Sequence, residues 1–199
     1  MAITNGYCTL NEVKAALRLS DAVDDTLIEN SIEGASRRID GYCGRFFYQT
    51  TTAVKFFASD SYRLPVPDIS STSGLVVKTD DNGDGTFETT LTLNTDYLVE
   101  PLDAALQSRP FRTITMIGGK TFPIFHLPQE AGVEVTATFG FPAIPDDVRE
   151  ACVLLSMRQF ARYNAALGVM AFGDMAVSVR SVDPDVRDLL NPYRVLGIA

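Results

Sequence analysis

One stretch of this chain has residue types and spacing that suggest a ligand: Asp80-Asp81-Asn82-Gly83-Asp84-Gly85-Thr86-Phe87-Glu88. Asp80, Asn82 and Asp84 alternate and are followed by Gly85. That is the opening of a calcium loop, where side-chain oxygens at every second position converge around a turn made by glycine. The bidentate glutamate of such a loop is missing at its twelfth position, which is Leu91. Asn-Gly and Asp-Gly between two β-rich runs are also strong hairpin-turn residues. Two readings follow, a solvated hairpin tip, which the turn residues favour, and a weak calcium site.

The remaining chemical candidates are thinner. Gly118-Gly119-Lys120-Thr121 imitates the end of a phosphate-binding P-loop, but the motif needs glycine at position 114, which is Ile114, and a helix after it. A turn is the expectation. His126, the one histidine, lies in an apolar, proline-framed stretch without a carboxylate or nucleophile close in sequence, so a structural role is expected. Cys8, Cys43 and Cys152 are odd in number and far apart, which suggests neither a disulfide framework nor a zinc site. Reduced, buried thiols are expected, and no catalytic residue, metal or cofactor is assigned.

These segments must be held by a core, and 46% hydrophobic content over 199 residues is ample for one. No charged-then-apolar leader follows Met1, and no apolar run approaches the ~18 residues of a membrane span. The sequence therefore reads as a protein made and used without secretion, with no membrane partner. The formal net charge is −8. Residues 48–144 carry eleven acidic and six basic side chains, against seven and five in residues 1–47 and seven and six in residues 145–199. DNA affinity comes chiefly from lysine and arginine releasing counterions at phosphates, so this chain is expected to let DNA pass and not to grip it.

The ends of the chain have helical periodicity. Thr9-Leu10-Asn11-Glu12 is a capping box and opens a short helix to about Leu19. Thr26-Leu27-Ile28-Glu29 repeats the signature, after which Ile28, Ile32, Ala35, Ile39, Tyr42 and Phe46 recur at steps of three and four, ending near Gly41 to Gly44. Ile144-Pro145-Asp146-Asp147 and Asp183-Pro184-Asp185 each place proline and acids where a helix starts. The first of these opens a broadly apolar helix to about Leu167, whose two greasy faces fit either a central core helix or one that also packs on a neighbouring copy.

From about Gln49 to Phe141 the period changes to short β-rich runs at 52–57, 75–78, 86–93, 97–99, 112–117 and 133–139, separated by Gly, Pro, Asp and Asn. No helical crossover separates them, which argues for antiparallel pairing. The expectation is an α+β protein in three segments. Helices of residues 1–48 and 142–199 form one bundle, with a small antiparallel sheet or barrel, residues 49–141, inserted between them.

Val133-Glu134-Val135-Thr136-Ala137-Thr138-Phe139-Gly140-Phe141-Pro142, Pro145 to Ala151, and Asp183-Pro184-Asp185-Val186 with Leu189-Leu190-Asn191-Pro192-Tyr193-Arg194 form a series of segments in a telling order. Leu10 to Leu17 and Asp25 to Cys43 with Gly44-Arg45-Phe46-Phe47 agree with it at the N-terminal end. In this order and spacing the chain resembles the head-tail connector (adaptor) proteins of long-tailed, siphovirus-like bacteriophages, over both helical ends and the last strand. The resemblance implies a non-enzymatic virion protein of the neck, made in the host cytoplasm. It implies a ring, commonly dodecameric, beneath the portal, which extends the DNA channel toward a stopper or tail-terminator-side neck protein. The partners implied are copies of the chain itself, the portal, that lower neck protein, and genomic DNA passing without sequence-specific binding.

Two sets of contact residues follow. Helices 26–42 and 145–167 together display more apolar surface than one seam consumes, which puts Ile32, Ile39, Met157 and Phe160 at an expected oligomer interface. The apolar C-terminal tail must pack somewhere, either on its own bundle or on a partner. Under the docking reading that the resemblance suggests, Arg187, Leu189, Leu190, Tyr193, Arg194, Leu196 and Ile198 bind the portal. An alternative of another class is a β-rich virion module that contacts calcium or glycan through Asp80 to Asp84.

Overall fold

The computed structural model describes residues 3–125, 131–164, 169–172, 175–178 and 184–195. The chain divides into two units, a helical one of residues 1–48 and 144–199 and a sheet of residues 49–143. The architecture is α+β.

In the helical unit, α1 (Leu10–Leu17) begins with the capping box, Thr9 accepting from the Glu12 N–H while Glu12 accepts from the Thr9 N–H at 2.7 Å. That second bond draws the Glu12 carboxyl below its ordinary range. The second capping box is not formed. Helix α2 (Asp25–Cys43) starts after Asp24 without a side-chain cap, and its first turn is anchored instead by Lys14 of α1, which reaches Asp25 at 2.6 Å. The helix begins at Asp25, which puts Thr26 inside its first turn, where it cannot act as the cap. Ile28, Ile32, Ala35 and Ile39 are fully buried, and the stripe continues through Cys43. Gly44 closes the helix at φ +65°, a left-handed conformation open to glycine.

Helix α3 (Asp146–Asn164) buries Val148, Ala151, Cys152, Ser156 and Phe160, residues spaced along one face. It packs on α2 closely enough that a Cβ on Gly34 would lie 2.7 Å from the Gln159 side chain. A short hairpin of β8 (Val169–Phe172) and β9 (Met175–Ser178) follows, then α4 (Pro184–Leu190) and a single 3-10 turn, Asn191–Tyr193. The hairpin was not apparent in a glycine- and methionine-rich stretch that lacks β-branched alternation.

The sheet unit is a single seven-stranded antiparallel sheet centred on β7 (Val133–Phe139). One edge of β7 pairs along its whole length with β1 (Thr50–Phe56), and the other pairs with β3 (Val76–Thr79) and, at Phe139, with β2 (Arg63–Ile69). Strand β4 (Thr89–Leu91) extends the sheet beyond β3, while β6 (Phe111–Met116) and β5 (Tyr97–Glu100) extend it beyond β2. Val133, Val135, Ala137 and Phe139 alternate into the core with Val77, Leu64 and Ile114. Strand β2 escapes sequence detection because Pro65 and Pro67 interrupt it. Proline has no N–H for the ladder, and the register with β6 shifts between Pro65 and Ile69.

Candidate functional site

The loop joining β3 to β4 is organised by Asp80, which is completely buried. Its Oδ1 accepts from the N–H of Gly83 at 2.7 Å and of Asn82 at 3.3 Å, and its Oδ2 accepts from the Gly85 N–H at 2.8 Å. Asn82 donates through Nδ2 to Glu88 at 2.9 Å and to Asp84 at 3.2 Å. Asp84 accepts from the Thr86 N–H at 2.8 Å, a bond that lowers the pKa of its carboxyl. Asp80, Asp84 and Glu88 each place an oxygen within 4.8 Å of the others. Sequence reasoning omitted Glu88, which falls at the ninth loop position. Both Asp80 oxygens are engaged by backbone, so this carboxylate builds the turn. Gly83 and Gly85, at φ +76° and +85°, take conformations that glycine favours.

The C-terminal segment is folded onto its own helical unit. Val186 and Leu190 are buried. Tyr193 packs edge-on against Phe47 with ring centroids 5.8 Å apart and donates to Asp147 at 3.1 Å. Asn191 accepts from the Tyr42 hydroxyl at 2.6 Å, and the Arg194 guanidinium stacks on the Tyr42 ring at 5.0 Å. The Val195 N–H then donates to the Cys43 carbonyl at 2.8 Å, satisfying one of the free carbonyls at the end of α2. Leu190 is thus buried within its own subunit, and Tyr193, packed on Phe47, stays half-buried. Arg187 and Arg194 are exposed and Leu189 is half-buried, whereas Leu196 and Ile198 lie outside the described residues.

Ile32 and Ile39 likewise have no surface left for a neighbour, since the seam within the helical unit buries both completely, and Phe160 is buried too. Met157 is half-buried, as are Val153, Leu154 and Leu155 on the same helix. Apolar side chains that do reach solvent include Val23, Tyr163, Phe57, Leu102 and Leu106, the last 88% exposed. Leu102 and Leu106 share the loop between β5 and β6. Strand β1, seven residues long, pairs only with β7 among the described residues and leaves its other edge open.

Gly118-Gly119 is a turn after β6. Gly118 sits at φ +64°, where a Cβ would meet the Thr95 carbonyl oxygen at 2.8 Å. The Lys120 N–H donates back to Ile117, and the described residues directly after it, 121–125, are not helical. His126 lies outside the described residues. No helix among the described residues is long and apolar enough to cross a membrane.

In the helical unit and in the sheet, the polar clusters described above serve turns and caps. Residues 7–82 match the family of phage gp6-like head-tail connector proteins. The family that the sequence resembles is thus the one whose model this N-terminal part of the chain matches. No curated protein matches the chain. Among solved structures it is similar to a chain in the neck of an empty gene transfer agent (GTA) particle computed with C6 symmetry, with a TM-score of 0.58 and 19% identity over 100% of this chain and 95% of that one. It is similar also to a chain in the neck of a native GTA particle computed with C12 symmetry, at TM-score 0.55 and 19% identity over 100% and 94% of the two chains. A third similar chain, from the virion of a native GTA particle, gives 0.54 and 19% over 100% and 95%. At that identity the likeness is one of fold.

Proposed function

We propose that this chain is a head-tail connector that assembles as a ring at the neck of a tailed phage or GTA-like particle, beneath the portal, and extends the DNA channel toward the next neck protein. The observation that carries this reading is the family match over residues 7–82, joined to a fold shared along the whole chain with proteins of symmetric necks. Solvent-facing Leu102 and Leu106, the half-buried face Val153 to Met157 and the open edge of β1 supply apolar and backbone surface for neighbouring copies. Exposed Arg187 and Arg194 supply cationic contacts for the portal.

The test is co-assembly with a purified portal ring, read by sedimentation and electron microscopy. A ring of connector stacked coaxially on the portal is expected. Leu106→Asp and Met157→Glu should weaken ring formation at least tenfold while leaving the thermal transition of the subunit intact. If the portal sediments without the connector at concentrations well above micromolar, the reading falls. The alternative of a calcium- or glycan-binding module gains no support from the loop, whose buried carboxylate is taken up by backbone N–H groups.

A further inference from the structure

Cys8 and Cys152 are 144 positions apart in sequence, yet their sulfur atoms lie 3.2 Å apart in the core of the helical unit. Cys8 belongs to the segment leading into α1, and Cys152 to α3. Exposure is 5% for the first and nil for the second. Around them, the Ser36 hydroxyl of α2 lies 3.5 Å from the Cys152 sulfur, and that of Ser156 lies 3.9 Å from Cys152 and 4.0 Å from Cys8. The two thiols therefore meet where three elements converge. Cys43, by contrast, sits at the far end of α2 with its sulfur 4.0 Å from the Leu190 carbonyl.

A disulfide holds its sulfurs about 2.05 Å apart, so closure requires an approach of roughly 1 Å, which small rotations of two side chains deliver. The hydrogen bond from Cys8 lowers the Cys152 thiol against the opposing effect of burial, while the Ser36 and Ser156 hydroxyls donate to the carbonyls of Ile32 and Cys152. The bond to Cys152 and then burial push Cys8 above the ordinary thiol range. Thiolate is the attacking species in exchange, and with both thiols buried the exchange runs while the unit folds or opens, before the pair is closed off from solvent.

We propose that Cys8 and Cys152 form a closable staple, a dithiol in reducing surroundings that a small-molecule disulfide such as oxidised glutathione converts to an intramolecular disulfide, tying the segment before α1 to α3. While the unit is still open to solvent during folding, Cys152 gives its proton to solvent and attacks one sulfur of the oxidised glutathione. The glutathione S–S bond breaks, a Cys152–glutathione disulfide forms and one glutathione thiolate leaves. Cys8 then loses its proton to that thiolate and attacks the Cys152 sulfur, expelling the second glutathione, which takes a proton from solvent. Two protein thiols are oxidised and one glutathione disulfide is reduced to two thiols. Only the setting in which the staple would close, a particle outside the reducing host interior, rests on the proposed function.

The full chain, unfolded in urea, is refolded by dialysis into buffers of graded reduced-to-oxidised glutathione ratio. Free thiols are then alkylated in denaturant and the peptides mapped by mass spectrometry. The expected result is a monomeric Cys8–Cys152 cross-linked peptide with Cys43 alkylated, and a thermal midpoint about 5–10 °C higher than that of the reduced protein. Cys43→Ala should behave the same way. All three cysteines alkylated at the most oxidising ratio, or cross-links shared with Cys43 or between molecules, would overturn the proposal. Cys8→Ser and Cys152→Ser, if folded, should each abolish the midpoint difference, and the wild-type peptide map decides the matter even if neither variant folds.

Discussion

Tyr7 is a hub at the scale of single residues. Its hydroxyl donates to Asp40 and accepts from the Phe47 N–H at 2.9 Å, while its ring meets Phe47 edge-on. Tyr7→Phe removes an acceptor from a buried N–H and a donor from a carboxylate, so a loss of about 1–3 kcal/mol is expected by urea denaturation. Burial first, then the bond to Asp40, raise the Tyr7 hydroxyl above its ordinary range. A raised folded value means stability that is complete below about pH 10, where free tyrosine titrates, and is lost as pH rises through the folded value. Burial raises Tyr97 in the same direction. Urea midpoints between pH 8 and 11 should therefore fall less steeply in Tyr7→Phe than in wild type; equal slopes would refute the assignment. Asp80 offers the second test at this scale. Asp80→Ala strands three backbone N–H groups and should cost about 2 kcal/mol or more. Millimolar calcium should move the wild-type midpoint by less than about 1 °C, since the carboxylate is already used; a saturable rise removed by Asp84→Asn would show a bound ion.

Elements declare themselves in sequence when their signal is local. The Thr9 capping box and the stripe from Ile28 to Ile39 needed only neighbours three and four residues away, and both appear as read. Strand β2 and the Thr26 box differ from the sequence reading, because prolines mask a strand that the sheet still recruits and because α2 starts at Asp25, with Thr26 already inside its first turn. Contact residues were the least legible part. Periodicity marks Ile32 and Ile39 as apolar, but only the packed structure says that α3 and its own unit cover them. Glu88 joined the loop cluster only once the turn brought it near Asp84. The C-terminal segment gives this a measurable consequence. Ending the chain at Asp183 uncovers Phe47 and the end of α2 and removes buried Val186 and Leu190. A loss of about 3 kcal/mol or more is expected, seen as a lower and broader thermal transition. Arg187→Ala with Arg194→Ala should leave the transition within about 0.5–1 kcal/mol of wild type, because both side chains are exposed. A truncated chain as stable as the full one would make the segment a free arm.

For the whole molecule, charge is the property that the proposed connector role must reconcile with passing DNA. Each base pair brings two phosphates, and a channel wall that released their counterions at many lysines would hold the duplex instead of conducting it. Here the net charge is −8 and the sequence pI about 4.6. Acidic side chains outnumber basic ones eleven to six across residues 48–144. Several basic groups are already engaged with acids or rings, Lys14 with Asp25, Arg63 with Glu100, Arg112 with Asp68, Arg37 with Asp40 and Tyr48. Long-range repulsion should therefore dominate any encounter with duplex DNA at low salt, where the Debye length is greatest, and fade as salt is added. In electrophoretic mobility and anisotropy titrations at 50 mM salt, the purified protein is expected to leave a 30-base-pair duplex unshifted up to tens of micromolar. Charge reversal should change this: Asp81→Lys with Asp84→Lys and Glu88→Lys raises the net charge by six and should create weak, steeply salt-dependent binding. Tight binding by the wild-type chain that weakens about tenfold or more between 50 and 200 mM salt would mean that a cationic surface exists despite the net charge, and the sliding-channel role would have to be abandoned.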